Sequence, residues 1–356
     1  MSLRHGVTLA ICTRNRLDDL LRCIASVIRQ APDFPVEVLL IDDGDMPEPL
    51  IASLRRELGH PPFRFAYRRK QQPGLLLSRI EAVRLASCDY VLFVDDDAEL
   101  EDGYLARLAE TYDRHPDAAG IGGIDAALRG SFKWDLFTRL ILYDSGRPGR
   151  LSPSGCGGSM TRWSAQSEPF PSEYVLGCNM SFRKSALAGL PHAEWLTGYS
   201  LGEDLYLAAW ARRTGEIWID PRLRVRHHHA RTARDKEAAV AYTEVANHYH
   251  LLRWRGAAAW RFGALLWTSF GLLGRSLVKR SLRGKASGYA RGIRFVLAED
   301  WRRLFRESIS DLGDGGTLRR GGGVPGEAGP ANAQGLRADP GRPERRRAAP
   351  SADSEV

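Results

Sequence analysis

Residues 90–100 read YVLFVDDDAEL, five apolar side chains running into Asp95, Asp96 and Asp97. Five apolar residues bounded by polar ones have the length of a strand buried on both faces. An acidic triplet by itself is more often a solvated turn. Here it closes a buried strand, and a second apolar run, residues 36–41, closes on Asp42 and Asp43. Three adjacent carboxylates at the mouth of a strand repel one another unless a cation neutralises them. Hard oxygen donors favour Mg2+ or Mn2+ over zinc.

Working outward, apolar runs alternate with helically periodic ones. Residues 7–12 predict a strand followed by Thr13, Arg14 and Asn15, 17–28 a helix, 36–41 a strand and 50–58 a helix. Residues 63–67 predict a weaker strand, 75–86 a helix, 90–94 a strand and 104–112 a helix. This order predicts an α/β fold, a doubly wound and mostly parallel sheet with ligands beyond the carboxyl ends of its strands. In that arrangement the acids after residues 41 and 94 converge on one rim.

From 120 to 177 the pattern is irregular: Gly122, Gly123, Gly155, Gly157 and Gly158 alternate with Trp134, Phe137 and Trp163, which predicts loops carrying aromatic contacts. A strand at 178–182, a helix at 201–211 and two short strands at 217–219 and 223–225 follow, then helix from 236 to about 305. The organisation expected is one domain over 1–235 in two halves that divide near 118, then a basic helical extension over 236–310. From 311 to 356 Gly, Pro, Ala and Arg dominate, too little apolar surface to offset ordering entropy, so a disordered tail is expected.

At 356 residues, 43% hydrophobic and 26% charged, the chain can bury a sizeable core. Its net charge of +8 concentrates after His250 and suits an anionic partner: a phospholipid surface, a polyprenyl phosphate or nucleic acid. Nucleic acid is disfavoured because no recognised reading motif accompanies the charge. The five cysteines form no CxxC pair, which argues against a disulfide framework or zinc site and for reduced thiols in the cytoplasm. A strand-like run from Val7 leaves no room for a signal peptide. The most apolar stretch, 262–274, falls short of the roughly 20 residues that span a bilayer. Residues 257–282 therefore predict either an interfacial helix on the inner face of the plasma membrane or a helix packed on the domain with its arginines reaching water.

Six segments, in order, resemble the family 2 glycosyltransferases of GT-A fold, in particular those of bacterial surface-polysaccharide assembly. They are VTLAICTRNRLDDLLRCIASVIRQ from Val7, VEVLLIDDGD from Val36 and PGLLLSRIEAVRLASCDYVLFVDDDAEL from Pro73. Further on come GCNMSFRKSAL from Gly177, WLTGYSLGEDLYLAAWARRTG from Trp195 and PRLRVRHHHARTAR from Pro221. The resemblance implies an inverting transfer of a sugar from a UDP, dTDP or GDP donor to a hydroxyl of a glycan or lipid-linked acceptor, with Mg2+ or Mn2+. It implies nucleoside contacts at Thr13 and Asp42 with Arg14 and Asp43 nearby, and Arg79 at the diphosphate or base. It implies Asp95 and Asp97 as the metal pair, with Asp97 the direct ligand and Asp95 nearer the ribose, and Asp96 as a further contact to the nucleotide-sugar. Asp204 is implied as general base with Glu203 beside it, and His227 or His228 as completing the metal or diphosphate site. Ile80 stands after Arg79 where many members have Asn.

Two rivals remain. A metal-dependent nucleotidyltransferase would want a glycine-rich phosphate loop after the first strand, which CTRNRLDD lacks. A non-catalytic, membrane-associated nucleotide-binding scaffold would not need Asp95, Asp97 and Asp204 together.

Overall fold

Four apolar runs become β1 (Val7–Thr13), β2 (Val36–Asp42), β3 (Phe63–Arg69) and β4 (Tyr90–Asp95) in a computed structural model. It describes residues 2–196, 200–228 and 237–313, with side chains through Glu299. All four strands are parallel, in the order β3-β2-β1-β4. Every residue of β2 is buried, as a strand covered on both faces requires. The crossovers are α1 (Leu17–Ile28), α2 (Glu48–Glu57) and α3 (Leu75–Leu85). The register sets Thr13 beside Asp42 and Cys12 beside Asp95, so the polar ends expected on one rim do meet there.

The second half adds β5 (Ala98–Leu100), α4 (Tyr104–Arg114), β6 (Gly120–Asp125), α5 (Phe132–Leu140), β7 (Phe170–Ser172) and β8 (Asn179–Arg183). Next come α6 (Glu203–Ala211) and β9 (Ile217–His227). The sheet continues β4-β8-β6-β9-β5, with β7 also on β9. β8 runs antiparallel to both β4 and β6, so the sheet is mixed though mostly parallel.

Two expectations change here. The two short strands at 217–219 and 223–225 are one strand, β9, running on to His227. The supposed glycine loop at 120 is a buried strand, β6. Its glycines reflect close packing: a Cβ on Gly120 would lie 2.6 Å from the Phe182 ring, and one on Gly123 only 2.1 Å from the Leu223 carbonyl.

The helical stretch is three helices: α7 (Glu237–Trp254), α8 (Trp260–Val278) and α9 (Arg283–Gly313). Gly256, at φ 64°, separates the first two. They share a second apolar cluster that includes Val245, Phe262, Leu265, Leu272 and Val296, with Ile141 packed into it from beyond α5. Residues through Arg306 form one compact unit. The tail expected from 311 lies outside the described residues beyond Gly313, as do His229 and Arg234.

Candidate metal and acceptor site

The carboxyl ends of β4, β6 and β9 and the start of α6 enclose a cleft of about 290 Å³. Asp95, Asp97, Asp125, Glu203, Asp204 and His227 all line it. One ligand atom from each of Asp95, Asp97 and His227 lies within 4.8 Å of the other two. His227 Nε2 is 3.1 Å from Asp97 Oδ1, and its Nδ1 is 3.9 Å from Asp125. Two carboxylate oxygens and one imidazole are a donor set that Mn2+ accepts and that Mg2+ accepts through its oxygens. Burial alone would pull the His227 pKa down. The bond to Asp97 and the nearby charges of Asp95, Asp97 and Asp125 outweigh it, and the net direction is up.

Asp96 does a different job from its neighbours. Fully buried, it accepts a 2.7 Å bond from Thr13 Oγ1 and pairs with Arg16, which also reaches Asp97 at 3.1 Å. Burial pushes the Asp96 pKa up to about 7, against the pull of Arg16. Asp96 and Thr13 thus brace the loop from behind the cleft.

Arg79 is 1% exposed. Its guanidinium donates to Glu203 Oε1 at 2.6 Å, Asp95 Oδ1 at 3.1 Å and the Gly177 carbonyl at 3.0 Å. One buried cation on α3 thereby ties the metal-side carboxylate to the start of α6. Burial raises the Glu203 pKa in spite of Arg79, and burial likewise raises that of Asp204. Asp204 is half-buried in the cleft wall and accepts a bond from the Leu205 amide. Gly202 in the left-handed region starts the helix, so both acids sit in its first turn, where its dipole favours negative charge.

Other expected residues lie outside the cleft. Asp42 turns into its own loop and accepts bonds from the Gly44 and Met46 amides and the Tyr67 hydroxyl. Asp43 holds Lys70 at 3.0 Å and the Gly74 amide at 2.7 Å. Both belong to the strand-end rim beside Thr13. Arg14 is exposed. His228, one residue past the end of β9, does not join the metal group: its ring pairs with Glu99 at 2.8 Å. A larger groove of about 630 Å³ opens beside Glu99, but its Arg222 and Arg224 are already paired with Asp220 and Glu101. Trp134 lies under Arg275 and Trp195 stacks on His250, neither in the cleft wall.

Arg16 and Asp125 were missed by sequence reasoning. Arg16 had a usable signal, a cation at the entry to the first helix beside an acidic strand end. Asp125 had none, because the glycines before it hid the strand. The wall thiols offer no nucleophile: burial pushes Cys12 up to about 12 and Cys178 well above its usual range.

The order and directions of the strands are those of the GT-A fold. Residues 8–171, a little under half of the chain, match the model for Glycosyl transferase family 2. A mannosyltransferase from Pyrobaculum calidifontis, solved in complex with GDP-Man and Mn2+, superposes with a TM-score of 0.50 at 16% identity, over 86% of this chain and 80% of that one. A glucosyl-dolichyl phosphate glucuronosyltransferase of Haloferax volcanii is 27% identical over 119 residues, 33% of this chain. The match spans 37% of that curated relative.

Proposed function

We propose that this protein is an inverting, metal-dependent glycosyltransferase that moves a sugar from a nucleotide diphosphate onto a hydroxyl of a glycan or lipid-linked acceptor in cell-surface glycan assembly. The observation that carries it is the meeting, in one cleft, of the Asp95–Asp97–His227 group with Asp204. The family 2 match and the nucleotide-sugar and Mn2+ bound to the Pyrobaculum fold relative support it. The glucosyl-dolichyl phosphate in the name of the Haloferax relative supports a lipid-linked acceptor.

Asp95, Asp97 and His227 would hold the cation. Bound there, Mg2+ or Mn2+ supplies Lewis-acid stabilisation of the charge that develops on the departing diphosphate. Asp204 takes the acceptor hydroxyl proton as the oxygen bonds to the anomeric carbon. The bond from that carbon to phosphate oxygen breaks, and the electron pair leaves with the nucleoside diphosphate. One displacement inverts the anomeric centre. Arg79 engages Glu203, so of the adjacent pair Asp204 is the carboxylate left to receive a proton. Its upward-shifted affinity suits a base working nearer neutrality. Asp42, Asp43, Thr13 and Arg14 form the rim where the nucleoside lies, with uridine the first base to try.

The test is thermal stabilisation by UDP, dTDP and GDP, each with and without Mn2+, in the native protein and in Asp97→Asn. Ligand that binds the folded state raises its stability by mass action. A shift with one nucleotide that needs the metal and disappears in the variant supports the reading and names the base. No shift with any nucleotide sinks it.

A further inference from the structure

Helix α8 shows water a face with no charge on it. Its exposed positions are Trp260, Trp267, Phe270, Leu277 and Val278, and the two others are Gly263 and Gly274. All seven fall within one arc of the helix, while Phe262, Leu265 and Leu272 on the far side fill the second apolar cluster. A helix packed on a soluble domain ordinarily turns charged or polar residues outward. Exposure is large, 59% at Trp267 and 85% at Val278.

The face continues onto α5. Phe132, Leu136 and Leu140 recur every four residues along that helix and are exposed, Phe132 by 83%. The two helices are joined: Trp267 Nε1 donates to the Leu140 carbonyl at 2.9 Å, and Thr268 to that of Ile141 at 2.6 Å. Arg275 of α8 lies 4.4 Å over the Trp134 ring of α5. Apolar area of this kind, contiguous over two helices, marks an interaction surface.

The charge around it selects the occupant. Residues 253–298 contain ten Lys or Arg and no Asp or Glu. Lys279, Arg280 and Arg283 stand exposed just past the end of α8, and Lys133 and Arg139 stand exposed on α5. A second copy docking the same face would set these cations against one another. An anionic bilayer would receive both the aromatic side chains and the basic rim. No helix among the described residues is long and apolar enough to cross a membrane, so the face lies on the surface.

We propose that the joined faces of α5 and α8 form a membrane-docking surface for anionic phospholipid. Leu128 in the cleft wall precedes Phe132 by four residues, a chain span of at most roughly 14 Å. The cleft therefore has one wall tied closely to the plane of the lipid.

The experiment is co-sedimentation of the full chain with vesicles of phosphatidylcholine alone and of phosphatidylcholine with 30% phosphatidylglycerol as probe, about one lipid in three carrying charge. The native protein is expected to bind the anionic vesicles more than about tenfold more tightly than the neutral ones. Phe270→Asp with Leu277→Asp, and separately Lys279→Glu with Arg280→Glu, should each weaken that binding by more than about tenfold. Unfolding temperature is the control, and it should stay near native because none of the four side chains is buried. Failure of the native protein to bind anionic vesicles would overturn the proposal. So would binding that survives both double variants, or a dimer in solution that the Phe270/Leu277 variant abolishes without any vesicle binding.

Discussion

The cleft and the outer face of α8 handle charge in opposite ways. Five carboxylates, Asp95, Asp97, Asp125, Glu203 and Asp204, line the cleft, where Arg16 and Arg79 reach some of them. The outer face of α8 carries no charge and is bordered by cations that no acid in its own segment answers. The cleft keeps an excess of acid facing inward, five carboxylates against two arginines, the balance a divalent cation would redress. The helical face leaves its imbalance outward, and only a partner can settle it. Excess charge gathered inside a cleft points to chemistry, and excess charge turned outward points to location.

The largest expected effect falls on the cleft. Replacing Asp95 and Asp97 together by Asn should abolish measurable transfer and metal-dependent nucleotide stabilisation while vesicle binding stays native, read by donor-dependent release of nucleoside diphosphate. Asp204→Asn should lower kcat by about 10²–10⁴-fold with little change in donor KM. The same variant has a pH signature. A base must be deprotonated to act, and burial raises the Asp204 pKa. Native activity should therefore fall with decreasing pH along a limb set above the ordinary carboxylate range, and the variant's residual rate should lack it.

Arg79→Met tests the bridge between the two sides of the cleft. It strands the buried Glu203 carboxylate, and breaking a buried pair from one side costs about 3–5 kcal/mol. A fall in chemical-denaturation stability of that order is expected, and Arg79→Met with Glu203→Gln should recover part of it. Smaller still is the contrast between neighbouring histidines. His227→Ala should weaken Mn2+ affinity by about 10–100-fold. His228→Ala should leave it within about twofold, since that ring pairs with Glu99, the scale of a surface change. Equal losses in both variants would mean that β9 presents its histidines otherwise than described.

Much of this was legible before any coordinates. The strands ending at Thr13, Asp42 and Asp95 stood out because buried parallel strands must be continuously apolar and because the acids that close them have no packing role. α1 began and ended where its apolar period did. β6 was hidden because its glycines look like a loop until Phe182 and Leu223 are seen pressed against them. α5 was hidden too: FKWDLFTRL reads as part of an irregular stretch of aromatic-bearing loops, and only packing shows it as a helix and decides which of its side chains go in. In the cleft, residue types were readable and partnerships were not. Nothing in the sequence says that Arg79 turns to Glu203, a residue more than a hundred positions away.

One consequence of β9 is a matter of parity. Its odd positions from Leu223 to Val225 are sealed in the core, its even positions Arg222, Arg224 and Arg226 face the Glu99 side, and His227 enters the cleft by belonging to the odd set. The strand can therefore tolerate many changes of residue but not every change of count. Gaining one residue between Leu223 and His227 would turn that imidazole outward and set Arg226 in its place, whereas losing one would leave the inward position to His228, the next imidazole along.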